Sequence, residues 1–270
     1  MKCLAFGMLK GGTGKSTIGF NIIVTRAMLN PNERYLMIDT DMQGNLTNLF
    51  KIESYEKVGA DVSEMILGDK SPEEVVIKSP LDYVTNIDLI PSSFNLFRNE
   101  IRLNNSNAKE YKLDRIIRKY KDFFEQYDYI IFDTNPSLNI YNLNVFYVAD
   151  DIINIAKNNC VSSIKALQMQ AGIWGSMKVE LDKEKEENIH VIVNMREERT
   201  VCSKNFAELI HNEEDLKDIV LKNKIRDSVI FTNATLENKP VYLYNRKHKA
   251  AEDVVKVIKE LEERGVFSEK

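Results

Sequence analysis

Six short apolar runs punctuate the chain: Cys3 to Met8, Tyr35 to Ile38, Ile87 to Ile90, Tyr129 to Phe132, Ile152 to Ala156 and Ile189 to Val193. They are too short for helices and do not alternate with polar residues, so each reads as a strand buried on both faces. Helical patterns lie between and after them, at Ile18 to Leu29, Tyr111 to Tyr127, Val161 to Leu181 and Ala250 to Arg264. The second carries Leu113, Ile116, Ile117, Tyr120, Phe123 and Phe124 on one stripe. The last carries Val254, Val255, Ile258 and Leu261 on one face, opposite Glu260, Glu262 and Glu263. Those carboxylates oppose an anionic lipid surface, so the stripe is predicted to pack into a core. Apolar strands alternating with helices predict an α/β fold: a mostly parallel twisted sheet with helices on both faces and right-handed crossovers. No Pro/Gly/Ser-rich linker interrupts the pattern, which predicts a single domain over residues 1–270. Asn104 to Ala108 reads as a mobile polar loop, and Lys183 to Glu187 as the solvated end of a helix.

Composition narrows the class. The 270 residues are 43% hydrophobic and 29% charged, as in ordinary soluble domains. No apolar run reaches membrane-spanning length, and Met1 leads straight into the first strand without a signal-peptide layout. Cys3, Cys160 and Cys202 are odd in number, far apart and without metal-ligand spacing, so they read as reduced thiols of a cytoplasmic protein. A net charge of −4 excludes a polycation on every face; contact with nucleic acid would need a local patch.

The chemistry starts at Lys10-Gly11-Gly12-Thr13-Gly14-Lys15-Ser16-Thr17, which follows the first strand and opens a helix. Small residues let successive N–H groups turn inward onto phosphate oxygens, and the helix N-terminus adds partial positive charge. Lys15 can reach the β- and γ-phosphates and the Ser16 hydroxyl can hold Mg²⁺. Leu9 stands where the general motif has its first glycine, and Lys10 is a second cation at the loop entrance. Two acidic segments follow strands: Asp39-Thr40-Asp41-Met42-Gln43-Gly44-Asn45 and Asp133-Thr134-Asn135-Pro136-Ser137. Carboxylates at that edge of a parallel sheet can hold Mg²⁺ or orient an attacking water. A lone aspartate there serves equally as a cap or turn residue; the phosphate loop alongside favours the chemical role.

The loop KGGTGKST, the segment IDTDMQGNLT and the segment YDYIIFDTNPSL together resemble the deviant Walker-type ATPases of the ParA/Soj partition family. Ile90-Pro91-Ser92-Ser93 and Asn238-Lys239-Pro240-Val241 echo it further, so the resemblance spans nearly the whole chain, in the form that lacks an N-terminal helix-turn-helix. It implies a P-loop NTPase-like fold and a slow, Mg²⁺-dependent, switch-type ATPase that dimerises on ATP. It further implies non-specific DNA binding and resetting by a ParB-like centromere-binding partner, in a nucleoid-associated cytoplasmic protein.

By this resemblance Lys10 crosses to the partner subunit's phosphates, and Gly11 to Thr17 cradle the nucleotide. Asp41 positions the hydrolytic water. Ser16 and Asp133 serve the metal, with Asp39 a further candidate, and Asn194 contacts the adenine. Met42 and Asn135 stand where relatives carry prolines, which is expected to loosen both loops. Lys224-Ile225-Arg226 lacks a proline often found there. Lys222, Lys224, Arg226, Arg246, Lys247 and Lys249, with Lys239 between them, form a basic stretch for DNA phosphates, with Arg196 and Arg199 as secondary candidates. The alternative is a MinD-like ATPase on a membrane surface, which needs a basic amphipathic tail that Glu260 to Glu263 contradict. An iron–sulfur carrier lacks a cysteine cluster, and a tyrosine autokinase lacks a terminal tyrosine cluster.

Overall fold

A computed structural model describes residues 1–7, 10–52, 59–158, 161–181, 188–196 and 216–268. Met8, Cys160, the charge run from Lys183 to Glu187, Arg199 and Cys202 lie outside these residues. Strands β1 (Lys2–Gly7), β2 (Tyr35–Asp39), β3 (Ile87–Ile90), β4 (Tyr129–Asp133), β5 (Asp151–Lys157) and β6 (Asn188–Asn194) form one sheet in the order β3-β2-β4-β1-β5-β6. All five pairings are parallel. Each apolar run became a strand, because a strand covered on both faces must be apolar on both.

Period-two alternation splits the strands between two cores. Leu4, Phe6, Met37 and Ile131 face α1 (Lys15–Leu29), while Cys3, Ala5, Ile38, Ile130 and Phe132 face the other layer. That layer is built from α3 (Val62–Leu67), α5 (Asn95–Asn104), α6 (Lys112–Lys119) and α8 (Ile140–Val148). Also present are α2 (Asn45–Leu49), α4 (Pro72–Val75), α7 (Lys121–Phe124), α9 (Val161–Glu180), α10 (Val229–Leu236), α11 (Val241–Tyr244) and α12 (Lys249–Glu263). No helix among the described residues is long and apolar enough to cross a membrane.

Two readings change. The single helix expected from Tyr111 to Tyr127 breaks at Tyr120 (φ −111°, ψ 41°) into α6 and α7. The break turns Phe123 and Phe124 into the core, where Phe123 meets Phe124 and Tyr127 edge-on at 5.1 and 5.7 Å. On α12 Val254, Ile258 and Leu261 of the predicted stripe are buried against α1 and the sheet, but Val255 is only half-buried and Val257 takes the core position instead. Glu260, however, is not on the polar face. It is 5% exposed, and its carboxylate accepts from the backbone N–H groups of Lys222 and Asn223 and the Asn223 amide, at 2.7, 2.8 and 2.8 Å.

Burial pushes the Glu260 carboxyl up, but these donors and Arg264 outweigh it and hold it below its ordinary value. A depressed carboxyl stabilises the fold above its unfolded value, near 4.5, and loses that contribution as pH falls through the folded value. Glu260→Gln is therefore expected to cost about 1–3 kcal/mol at neutral pH. The gap to wild type should close on acidification, when urea unfolding is followed across that range.

Residues 219–227 run beside β6 as an irregular segment with isolated bridges, through Leu221 N–H to Val191 O (2.8 Å), Ile225 N–H to Val193 O and Arg196 N–H to Ile225 O (both 2.9 Å). The echo Asn238-Lys239-Pro240-Val241 proves to be a clasp: Asn238 Nδ2 donates to Asn48 O and Val241 N–H to Asn21 Oδ1, at 2.8 and 2.7 Å, tying α2 and α1 to α11.

Candidate nucleotide and phosphate site

Parallel pairing puts the C-terminal strand ends on one edge. Phe6, Asp133 and Asp39 stand abreast on β1, β4 and β2. The glycine loop, both acidic segments and Asn194 therefore all open to one side, where ligands bind in open α/β sheets.

Gly14 caps α1 in the left-handed region (φ 83°, ψ 22°). A Cβ there would lie 2.6 Å from Asn194 Nδ2, so a side chain would have to displace that amide as well as strain the backbone. Gly12 is also left-handed (φ 73°). α1 has no side-chain cap hydrogen bond and no acidic residue in its first turn, so no side chain competes for its leading N–H groups. Such a terminus favours an anion. Ser16 and Thr17 sit half-buried on that first turn, and Lys10 is half-buried at the loop entrance.

Lys15 is buried and its Nζ donates to Asp133 Oδ1. Asp133 is 3% exposed, and its other oxygen, Oδ2, is buried without a hydrogen-bond partner. An orphaned carboxylate oxygen below a bare helix N-terminus fits a hard cation. Asp39 is placed differently. Its Oδ1 accepts from Asp41 N–H (3.0 Å) and its Oδ2 from the Thr47 N–H and hydroxyl (both 2.8 Å). Burial first, then the Asp133 charge, push Asp39 well above the usual carboxylate range against the pull of those donors. Its contacts fix the loop after β2.

Asp41 Oδ1 accepts from Gln43 N–H at 3.0 Å. Burial raises the Asp41 carboxyl, while Gln43 N–H and the Lys15 charge oppose the rise. Its carbonyl accepts from Gly44 N–H (2.9 Å) and from the Ser92 hydroxyl.

Both loops expected to loosen, at Met42 and Asn135, carry hydrogen bonds. The Met42 loop is held by the Asp41 contacts, with the Met42 side chain largely exposed. Asn135 replaces proline's rigidity by hydrogen bonds: its Oδ1 accepts from Ser137 N–H (2.9 Å) and the Ser137 hydroxyl (2.7 Å). Asn142 Nδ2 donates back to the Asn135 carbonyl at 2.9 Å. The compensation comes from α8, beyond the segment that carries the resemblance.

Asn194 Nδ2 donates to Thr13 O at 2.8 Å, anchoring the end of β6 to the glycine loop. Beside it lies a recess of about 250 Å³ lined by Gly14, Thr17, Asn194, Met195, Asp227, Ser228 and Phe231, among others. Met195 takes a positive φ (54°), turning the chain out of the sheet there. Met195, Asp227, Ser228 and Phe231 had no sequence signal; they reach the recess because segment 219–227 tracks β6.

The basic stretch is divided. Arg226 is held bidentate by Asp253, Nε to Oδ2 at 2.6 Å and Nη2 to Oδ1 at 3.0 Å, and lines the recess beside Asn194. Lys224 is half-buried, and burial first, then Arg196, lower its pKa. Lys222 is exposed beside Glu260. Arg246, Lys247 and Lys249 are exposed together at the start of α12, with Arg246 over the Tyr242 ring at 4.9 Å. Glu260 lies about three turns further along α12 (roughly 16 Å at 1.5 Å per residue), so the two groups of cations are separate. Lys249 adds a cation to the positive end of a helix, which concentrates potential there.

A family model described as an AAA domain (AAA_31) matches residues 1–172. The sporulation initiation inhibitor protein Soj of Bacillus subtilis (strain 168) is 28% identical over 270 residues, covering 98% of this chain and 99% of Soj. Apo McdA of Cyanothece shares the fold with a TM-score of 0.81 at 22% identity, over 96% of this chain and 98% of McdA. So does cobyrinic acid a,c-diamide synthase from Mycobacterium smegmatis, solved with a bound ATP analog and magnesium, at TM-score 0.79 and 22% identity over 100% and 98% of the two chains. The matched stretch runs from β1 into α9 and so contains the glycine loop and both strand-end aspartates; the chain belongs to the AAA_31 family of AAA domains, within the ParA/MinD superfamily of partition ATPases.

Proposed function

We propose that the protein is a nucleotide-timed partition switch: two copies close on two ATP molecules, the closed pair holds DNA without reading sequence, and hydrolysis reopens it. The observation that carries this reading is an apolar surface bordering the phosphate edge. Met42, Phe94, Phe97, Ile101 and Leu138 are 42, 52, 52, 61 and 40% exposed. Phe97 and Met42 line a groove of about 260 Å³ together with Asp41, Glu100, Asn135 and Pro136. Such a surface is costly to leave in water and marks an interface. A second copy facing it brings its Lys10 toward the phosphates.

Lys15 neutralises Asp133 within the site. Lys15 would also hold the β- and γ-phosphates, and Ser16 and Asp133 would hold Mg²⁺. Bound Mg²⁺ supplies charge neutralisation at the phosphates. Asp41 orients the attacking water, and the recess beside Asn194 takes the base. A cation from each subunit completes the other's site, so ATP acts as the glue and its cleavage as the release. A ParB-like partner acting on the closed pair sets the timing.

The test is hydrodynamic size with ADP and with ATP, each with and without unrelated duplex DNA. ATP should convert monomer to dimer and retain it on DNA; a monomer under every condition sinks the reading. Lys247→Glu with Lys249→Glu should lower DNA affinity about tenfold or more at low salt, flatten the salt dependence, and leave the ATP dimer intact. Unchanged retention would move the DNA surface elsewhere.

A further inference from the structure

Ile90-Pro91-Ser92-Ser93 ends β3 and has no role in the reading above, yet both its serines are buried. They face different tasks. Ser93 Oγ donates to Asp61, whose carboxylate caps α3. Ser92 faces the nucleotide side: its hydroxyl donates to the Asp41 carbonyl and its N–H to Thr47 Oγ1 at 3.0 Å. Thr47 Oγ1 in turn donates to Asp39 Oδ2 (2.8 Å), and Asp39 Oδ1 accepts from Asp41 N–H (3.0 Å). Asp41, Asp39, Thr47 and Ser92 thus close a ring of hydrogen bonds across the end of β2, α2 and the end of β3. Asp39, Thr47 and Ser92 have no measurable exposure. The ring grips the Asp41 backbone from both sides, N–H by Asp39 and C=O by Ser92.

We infer that Ser92 is a positioning residue for hydrolysis, acting through Asp41. The inference rests on the reading of Asp41 as the group that orients water. A carboxylate that aims a water at the γ-phosphate must keep one orientation, and a small misplacement of such a group costs rate while leaving ground-state binding alone. Gln43 N–H fixes the Asp41 carboxylate to its own turn, and Ser92 fixes that turn to the sheet. Ser93, one residue along and outside the ring, serves as the built-in control.

The experiment is steady-state Mg-ATP turnover with nucleotide affinity and urea unfolding for Ser92→Ala, Ser93→Ala, Asp41→Ala and the Ser92→Ala/Asp41→Ala pair. Ser92→Ala should lower kcat about tenfold with KM within about twofold. Ser93→Ala should lower stability and leave kcat unchanged. The double variant should be no slower than Asp41→Ala, because both changes act on one group. Thr47→Val opens the ring from the other side and should reproduce the Ser92→Ala loss, with Thr47→Ser restoring the rate, should Ser92→Ala not fold. If Asp41→Ala is inactive while Ser92→Ala keeps its kcat, or both serine variants lose rate equally, the Ser92 inference falls and the Asp41 reading stands. If Asp41→Ala turns over as wild type, both fall.

Discussion

Lys15→Ala should abolish ATP turnover, with a loss of at least about a hundredfold, and should also weaken the nucleotide-free fold. The first effect follows from removing the cation that meets the β- and γ-phosphates; a single preorganised contact to developing charge is worth about 10²–10³ in rate. The second follows from the buried ion pair that Lys15 makes. Its Nζ donates to Asp133 Oδ1, and Oδ2 of the same carboxylate has no hydrogen-bond partner. Truncating one member of a buried pair strands the other charge, at about 3–5 kcal/mol. The two effects separate in a double variant: adding Asp133→Asn to Lys15→Ala should recover stability without recovering activity. Urea unfolding and phosphate release measure them independently. Full stability in Lys15→Ala alone would show that the Lys15–Asp133 pair does not support the fold.

Asp41→Ala should retain ATP and lose turnover by about a hundredfold, the scale of a positioned acid–base or water-orienting group. Nucleotide affinity should change by only a few-fold, because the phosphates are held from the other side, by the glycine loop and α1. The consequence in solution is a dimer that forms with ATP and stays on DNA. Asp41→Asn keeps the acceptor for Gln43 N–H while removing the charge, so the same loss there assigns the effect to the carboxylate and not to an unravelled turn. Dimers that release DNA at the wild-type rate would place the water on another residue.

The elements legible in the sequence are those whose physics is local. Strands buried on both faces are largely apolar, so β2 and β4 are recognisable before any partner strand is known. The glycine loop is legible for the same reason: left-handed turns at Gly12 and Gly14 demand glycine whatever surrounds them. Other features were hidden because their cause lies far along the chain. The Tyr120 break follows from how Phe123 and Phe124 reach the core, and a helical stripe alone shows no break. The basic stretch read as one patch, yet Asp253 sits on a different element from Arg226 and withdraws it. The hydrogen bond that holds the Asn135 carbonyl comes from Asn142, on the following helix α8, and was not legible in the segment itself.

Sequence by itself therefore determined the strand and helix periods, the phosphate loop and the acidic residues at strand ends, since each depends on neighbours within a few residues. Tertiary structure alone decided which charges are spent on the fold and which remain for ligands. Arg26, on α1, shows the reason. It is fully buried, paired with Glu33 at 3.0 Å and with Glu262, and stacked 4.5 Å from the Phe267 ring. An ionised side chain leaves water only where compensating groups meet it; here Glu33 lies seven residues on, but Glu262 and Phe267 come from the far end of the chain and only the fold brings them to Arg26.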